Sequence, residues 1–331
     1  MKVTLLEKEA SKIEVGGTHN PGAFDAYVRA SKTYWEQHDE KDAQLAIDGY
    51  TDAIRLDPDY ALAYAARALA VLNLAERPMT PTARRAVLDK SQADARKAIA
   101  LVPDLSEGHM ALAMAYKTGF DFTAARMECE RALGLGPGNA RVLRDCGELE
   151  VRTGRIDSGL MSLNRALSLD PLNPNSHSLL AGTLLLLRRY PEALAAYRDA
   201  DDLAPGVGDF SALTGIAYYL LGDFGSARSM CEKKPDDGYN QFCLAVTYDK
   251  LGRHADAEAV FAKYRANYGD APAFGYSAIY AQWGDTARAL DWLEAAVRTR
   301  DPYLELKYPL LDPLRNEPRF QAIERALRFP D

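Results

Sequence analysis

The sequence predicts an all-α fold: a right-handed superhelical solenoid of about eight helical hairpins, closed by a C-terminal capping helix. Two observations predict it. Four prolines that end successive units, Pro103, Pro137, Pro171 and Pro205, are separated by three equal intervals of 34 residues. The stretch from Ser176 to the last of these prolines reads as two amphipathic helices joined by a turn. Such a hairpin cannot bury its apolar face alone, so neighbouring copies must stack.

The residues inside this stretch follow a known helical repeat. Its first helix carries the small residue Ala181, its second helix carries Ala193 and Tyr197, and Pro205 ends the unit. This order and the 34-residue period resemble those of the tetratricopeptide repeat (TPR), a helix–turn–helix unit. We therefore expect a TPR-like solenoid whose function lies on a surface rather than in an enclosed pocket.

The units are expected to follow one another along most of the chain. Residues 1–25 do not fit the repeat and are expected to be a linker or the remnant of a preceding domain, because Gly16–Gly22 is a cluster of turn formers. The solenoid is expected over residues 26–302, and residues 303–331 are expected to cap it, with Phe320 and Ile323 on one helix face. The expected hairpins span approximately residues 26–58, 60–103, 105–137, 139–171, 173–205, 207–236, 238–269 and 270–302.

The second hairpin and the last three depart from the regular proline pattern. An insertion is expected near residues 76–85, and Pro81 within it predicts the start of a long second helix that ends at Leu101. In the last three units a glycine at the turn between the two helices replaces proline as the marker. Glycine suits that turn because it adopts positive φ without steric cost. These turn residues are Gly222, Gly252 and Gly284.

Composition and charge exclude several classes of partner. The 331 residues carry a net charge of −7 with a pI near 5.4, whereas nucleic-acid binding normally needs a basic face, so no nucleic acid is expected to bind this region. No run approaches the ~18 consecutive apolar residues of a membrane helix, and Val3–Leu6 is too short for the apolar region of a signal peptide. The chain is therefore expected in the cytoplasm, without a membrane partner.

The four cysteines are expected to be reduced packing residues, because they are too few and too scattered for the disulfide framework of a small secreted domain. Cys129 and Cys146 fall on facing helices of adjacent repeats, and Cys231 and Cys243 form a similar pair, so contact within each pair stays open. A redox switch would follow only if the Cα atoms of a pair approach within ~7 Å.

Motifs for catalysis or cofactor binding are not found. The loop Gly134–Gly138 follows no strand and has neither dinucleotide-binding nor P-loop spacing. The histidines stand far apart, without a metal-binding arrangement. Carboxylates such as Asp199 and Asp201 are not placed in a dry cleft as an acid and base pair. We expect no catalytic residue, no metal and no cofactor, and any enzyme activity would lie in a domain outside this chain.

The remaining candidate site is the groove that the first helices of such arrays line. Its central positions form a mainly basic floor and its C-terminal positions an aromatic end, so the expected ligand is a protein or extended peptide with acidic or aromatic residues. Three alternatives stay open: the side chains pair internally, the C-terminal tail of the chain fills the groove, or the protein self-associates. The expected groove residues are Glu107, Met110, Met114, Lys117, Arg141, Arg144, Glu148, Arg152, Asn175, Tyr219, Tyr239, Phe242 and Phe274.

Stretches near the two ends of the repeats resemble a narrower family. Residues Asn20–Ala30, which lead to Ala53–Ala61, resemble the entry to the repeat region of bacterial multidomain signalling proteins. Leu311–Phe320 resembles the way those regions end. In that family the repeats follow a class III adenylate cyclase domain or a winged-helix DNA-binding domain, often through a TolB-like segment.

The resemblance implies a regulatory or assembly module in bacterial signalling. An alternative is the regulatory C-terminal portion of a class III adenylate cyclase whose catalytic domain is outside this chain. The 331 residues include neither a cyclase nor a DNA-binding module, so the catalytic and DNA-reading residues of that family have no position here.

Overall fold

The fold is all-α, as the sequence predicts. Across the described residues the secondary structure is helical, with no strand. Pro205 and residues 76–79 of the predicted insertion lie outside the described residues, as does most of the predicted N-terminal linker. The computed structural model describes residues 16–35, 40–75, 80–204, 210–301 and 303–327.

Seventeen α-helices follow one another in the described part of the chain, and the first sixteen form eight hairpins. Odd numbers denote the first helix of a hairpin and even numbers the second. A 3₁₀ helix, Pro309–Leu314, precedes the last α-helix. The bounds are α1 Pro21–Trp35, α2 Glu40–Leu56, α3 Ala61–Leu74, α4 Pro81–Leu101, α5 Ser106–Thr118, α6 Phe122–Leu135, α7 Ala140–Arg152, α8 Ile156–Leu169, α9 Pro174–Leu186, α10 Tyr190–Leu203, α11 Ser211–Leu220, α12 Phe224–Cys231, α13 Gly238–Lys250, α14 His254–Tyr268, α15 Ala273–Gln282, α16 Thr286–Thr299 and α17 Pro318–Ala326.

The long second helix predicted for the second hairpin is present as α4. It runs for 21 residues, from Pro81 to Leu101. Thr80 precedes it, and the Thr80 side chain accepts a hydrogen bond from the backbone amide of Ala83 at 3.2 Å. This cap satisfies one of the amides that the first turn of a helix leaves unpaired, and a proline at the first position needs no amide partner.

The turn between the two helices of a hairpin contains one residue in the left-handed backbone region. Phe120 and Arg188 hold this position in two hairpins, with φ of 62° and 59°. Between Phe120 and Gly222 the position recurs every 34 residues, which is the period of the prolines. Glycine holds the position in four other hairpins whose turns the structure describes, as predicted for the last three, because glycine lacks the Cβ that makes this region costly. These glycines have φ between 73° and 91°: Gly154, Gly222, Gly252 and Gly284.

The helices divide into two compact units, Met1–Leu149 and Glu150–Asp331. In the first unit, Tyr50 is buried and its ring centroid lies 5.6 Å from that of Tyr27. In the second unit, Tyr197 is buried within a cluster of alanine and leucine side chains from α9, α10 and α11. Within each unit, apolar faces of one hairpin are therefore buried against the next, as the stacking argument requires.

Both cysteine pairs form disulfide bonds, each between the second helix of one hairpin and the first helix of the next. Cys129 of α6 is bonded to Cys146 of α7, with Cα atoms 5.3 Å apart, and Cys231 of α12 is bonded to Cys243 of α13, with Cα atoms 5.9 Å apart. The expectation of reduced packing residues is therefore wrong. It failed because the number and spacing of cysteines in small secreted domains do not apply to a repeat array, where facing helices bring each pair within bonding distance.

A glycine makes room for one of these bonds. A Cβ atom at Gly215 in α11 would lie 2.8 Å from Cys243 Sγ and still closer to Cys231 Sγ. Gly182 in α9 has no such neighbour, because the nearest atom to its Cβ position is the Tyr197 hydroxyl at 3.8 Å. The two glycines therefore occupy helix interiors with very different space around them.

The C-terminal helix α17 covers the last hairpin, as the predicted capping helix should. Phe320 is fully buried and Ile323 is nearly so. On the outer side, Arg319 pairs with Asp291 at 2.8 Å and with Glu294 at 3.0 Å, both on α16. One apolar face and two exposed ion pairs thus hold the cap in place.

Replacement of Gly215 by alanine is expected to lower the free energy of unfolding by about 1–3 kcal/mol, because the new methyl group overpacks against the disulfide. Gly182→Ala is the matched control: its methyl group has room, and the higher helix propensity of alanine should stabilise the protein by about 0.5–1 kcal/mol. Denaturant unfolding followed by circular dichroism measures both values. Stabilisation by both changes would contradict this packing.

Candidate peptide-binding surface

In the first unit, the arginines expected on the groove floor lie against aromatic side chains of α1. The guanidinium carbon of Arg141 is 5.2 Å from the ring centroid of Tyr34 and 4.8 Å from that of Trp35. The guanidinium carbon of Arg144 is 5.5 Å from the Trp35 ring. Such cation–π contacts are favourable, especially over an indole ring. Trp35, which is not among the groove residues listed from the sequence, therefore covers part of the basic floor.

One carboxylate, Asp145, pairs with both arginines. Arg144 Nε donates to Asp145 Oδ1 at 2.7 Å, and Arg141 Nε lies 3.8 Å from Oδ2. Burial alone would raise the pKa of Asp145, but the guanidinium groups of Arg144 and Arg141 outweigh burial and hold this pKa below its usual value. The positive charge of the expected floor is thus balanced inside the first unit.

The other expected groove positions of the first unit are also paired or buried. Lys117 Nζ donates to Glu148 Oε2 at 2.6 Å, and Asn139 Nδ2 donates to Glu107 Oε1 at 2.7 Å. Met114 is half-buried. Met110 is fully buried, so its placement on the groove surface was wrong. The reason is that α5 is buried around most of its circumference, which leaves little exposed face.

In the second unit, a segment that follows α16 crosses the side chains of the first helices. The ring of Tyr303 meets the ring of Tyr239 edge-on, with centroids 5.9 Å apart. Glu305 Oε2 lies 3.2 Å from Arg152 Nε. Both Tyr239 and Arg152 are groove residues expected from the sequence. We call this segment the strap; it comprises Asp301 and residues 303–315.

The strap has further anchors at both of its ends. Asp301 is almost fully buried, and its Oδ2 accepts a hydrogen bond from the backbone amide of Phe274 at 2.9 Å. The Phe274 ring also lies 5.9 Å from the ring of Tyr308. At the other end, Arg188 Nη2 donates to both carboxylate oxygens of Asp312, at 2.6 and 2.7 Å. Hydrogen bonds between charged groups such as these are shorter and stronger than those between neutral groups.

Polar contacts also hold the middle of the strap. Gln282 Nε2 donates to the backbone oxygen of Leu310 at 2.6 Å, and Tyr219 Oη donates to Gln282 Oε1 at 2.7 Å. Burial raises the pKa of Tyr219, so its hydroxyl stays protonated and able to donate. Tyr219 thus acts on the strap through Gln282 rather than by direct contact.

The strap has the chemistry expected of a groove ligand. It combines carboxylates, two tyrosines and a set of buried leucines in an extended segment. The chain's own C-terminal tail therefore occupies the surface expected to bind peptide in the second unit, which is one of the alternatives that the sequence left open. The buried leucines are Leu304, Leu306, Leu310, Leu311 and Leu314.

Some of the expected groove residues remain accessible to solvent, and two residues that contact the strap were not predicted. Asn175 is exposed, Tyr239 is 52% exposed and Phe242 is half-buried. Arg188 and Gln282 contact the strap but were not expected from the sequence. The sequence does mark Arg188: it holds a left-handed turn position that glycine occupies in four of the six described turns, so an arginine there suggests a function for its side chain.

Other parts of the described structure give weaker evidence for a functional site. A cleft of about 590 Å³ lies among the turns of the last two hairpins, and there His254 Nδ1 lies 2.7 Å from Asp249 Oδ1, with the imidazole largely exposed. Among the described residues, no group of three or more histidine, cysteine or carboxylate side chains is placed to hold a metal ion. None of the helices in the described ranges is long and apolar enough to span a membrane.

Asp145→Asn is expected to destabilise the protein by about 3 kcal/mol at pH 7, because it leaves two guanidinium groups without their carboxylate. The pKa of Asp145 is depressed in the fold, so its stabilisation is present above the unfolded value of 3.8 and is lost as the pH falls through the folded pKa. The difference between variant and wild type should therefore shrink below about pH 4.

The control for this substitution is Asp52→Asn, which breaks an exposed ion pair with Arg55 in the same unit. Exposed pairs of this kind contribute about 0–1 kcal/mol. Urea unfolding between pH 3 and pH 7 measures both variants. A loss at Asp145 that is as small as the loss at Asp52, or that does not change with pH, would contradict the role given to Asp145.

Comparisons with known proteins agree with this helical-repeat geometry. A family model described as tetratricopeptide repeat matches residues 146–208. A chain of the APC/C hetero-tetramer Cut9–Hcn1 has a TM-score of 0.63 at 11% identity, with 99% of this chain and 61% of that chain covered. A tetratricopeptide repeat protein from Parabacteroides merdae ATCC 43184 has a TM-score of 0.50 at 13% identity, with coverage of 74% and 94%. A search of curated protein sequences finds no significant match.

A third solved structure is a thermophilic TPR protein from Thermus thermophilus, with a TM-score of 0.49 at 21% identity and coverage of 60% of this chain and 99% of that chain. At these identities the comparisons establish the fold rather than a function, and none of them indicates an enzyme family. The chain therefore has the tetratricopeptide type of helical-repeat fold, with a match to the repeat family itself in residues 146–208.

Proposed function

We propose that the chain is a protein-interaction scaffold, and that it binds an extended segment of a partner protein on the first-helix side chains of the second unit. An array of helical hairpins presents a long continuous surface, which suits an extended ligand better than a small molecule. Arginine and tyrosine side chains on that surface supply directional pairing to carboxylates and rigid apolar contact area. The partner segment is accordingly acidic and aromatic.

One observation carries this proposal: the second unit already holds a segment of that chemistry. The strap places Glu305 on Arg152 and Tyr303 on Tyr239, and both receptor side chains are positions at which a groove ligand is expected from the repeat pattern alone. Tyr239 is half exposed, so a partner can reach it. These contacts support a surface that selects carboxylate and aromatic groups together.

The proposal also includes a more specific role, in bacterial signalling. It rests on the resemblance of residues 20–30 and 311–320 to the ends of repeat regions in multidomain signalling proteins. In that reading the scaffold regulates or assembles a signalling protein. The alternative, a regulatory portion of a class III adenylate cyclase, rests on the same two motifs and differs only in the domain to which the repeats are joined.

The two disulfides bear on the compartment in which the protein folds. Cys129–Cys146 and Cys231–Cys243 both lie in the protein interior. Disulfides persist in oxidising compartments and are rare in the reducing cytosol. They favour an oxidising compartment over the cytoplasm that the sequence suggested.

Protein purified without reductant is expected to show no free thiol when it is denatured and alkylated, as mass spectrometry can measure. Reduction should then lower the melting temperature, because each bond closes a loop and stabilises the fold by about 3 kcal/mol. The bonds span 17 and 12 residues. Four alkylated cysteines in the unreduced sample would contradict both the bonds and the compartment.

The Asn175→Ala, Tyr239→Ala double variant is expected to retain its partner roughly tenfold less well than the wild type, because an aromatic anchor of a protein interface commonly contributes more than ~1 kcal/mol. Affinity capture from a lysate of the source cells, with quantitative mass spectrometry, measures the loss. Leu172→Ala, at a position of the same unit that is 74% exposed, is the control and should capture the same proteins as the wild type. Equal capture by all three chains would overturn the proposed surface.

A further inference from the structure

The strap has the geometry of a bound peptide that is covalently joined to its receptor. We propose that it is an internal ligand of the second unit, and that an external partner binds by presenting a segment with the same pattern of carboxylates, tyrosines and leucines and displacing the strap. This inference rests on the proposed function and adds to it both the sequence pattern of the partner and a means of regulation.

The contacts of the strap are of a kind that another chain can replace. Glu305 meets Arg152 and Asp312 meets Arg188 through side chains alone, and any segment with two carboxylates at a similar separation can form the same pairs. The strap therefore defines a pattern of side-chain contacts that the backbone of another chain can also present. Its acidic pattern is complementary to Arg152 and Arg188 on the receptor side.

One anchor near each end of the strap is open to solvent. Tyr303 is 43% exposed, and the ion pair between Asp312 and Arg188 is about 40% exposed on each side. A competing segment can therefore begin to form contacts at Tyr239 or Arg188 while the buried leucines of the strap are still in place. Displacement can proceed stepwise from an end, without unfolding of the hairpins.

The short link between α16 and the strap sets how strongly the strap competes with an external segment. Arg300, the residue between α16 and the strap, has a left-handed φ of 53°, so the chain turns back sharply onto the surface it has just built. A ligand tethered by so short a link has an effective concentration of the order of millimolar. An external segment must overcome that concentration, so the wild-type protein binds partners weakly and a loosened strap makes it bind them more tightly.

The test uses a fluorescein-labelled peptide with the sequence of residues 301–315, titrated into the full chain and followed by anisotropy. The Tyr303→Ala, Asp312→Ala variant removes the two exposed anchors of the strap and leaves the receptor side chains intact. We expect this variant to bind the peptide about tenfold more tightly than the wild type, because a weaker internal competitor lowers the apparent dissociation constant. Addition of Tyr239→Ala to the variant should remove the gain.

Arg319→Ala is the matched control. It breaks two exposed ion pairs between α17 and α16 and touches no strap contact described above, so its peptide affinity should equal that of the wild type. If wild type and loosened variant bind the peptide equally well, competition by the strap is overturned while the proposed binding function stands. If neither binds it although the variant is folded and its strap is released, the proposed surface fails as well.

Hydrogen exchange gives a second measurement that needs no variant. In the wild type, the strap amides of Leu304, Tyr308 and Leu311 donate to backbone oxygens within the segment from Asp301 to Tyr308. Saturation with the peptide should raise the exchange of these amides and leave that of α11 unchanged. Peptide binding with no increase in strap exchange would overturn the displacement mechanism, even if the loosened variant proved too unstable to study.

Discussion

The stacking of hairpins is the constraint on which the rest of the structure depends, because no single hairpin can bury its apolar face. Each hairpin must turn at the same point to meet the next hairpin. Left-handed residues from Phe120 to Gly222 mark that point every 34 residues. Within each compact unit, stacking also places the first helices of successive hairpins side by side, so that side chains far apart in sequence lie on one surface. The binding surface and the disulfides both follow from this alignment.

The fold could be predicted from the sequence because its signals are local and repeated. The proline period, the turn glycines and the start of α4 at Pro81 each depend on backbone preferences within a few residues. The groove was predicted less completely. Arg152, Tyr239 and Phe274 each contact the strap, whereas Met110 is buried because its helix is covered on most sides.

The missed features join distant parts of the chain. Arg141 meets Trp35, and Arg188 meets Asp312, across more than a hundred residues. Such pairs depend on the path of the chain between them, which no local pattern encodes. Arginines that the sequence analysis assigned to ligand binding already have carboxylate or aromatic partners in the fold. The internal partners are therefore part of how the surface selects its ligand.

The central claim is that the chain's own acidic and aromatic tail occupies the first-helix surface of the second unit. Native-state hydrogen exchange of the unliganded full chain tests it most directly. The amides of Leu304, Tyr308 and Leu311 are expected to exchange almost as slowly as those of α15, because they donate to backbone oxygens in a segment that buried leucines hold in place. Exchange of these amides at the rate of an unstructured chain, with α15 protected, would contradict it.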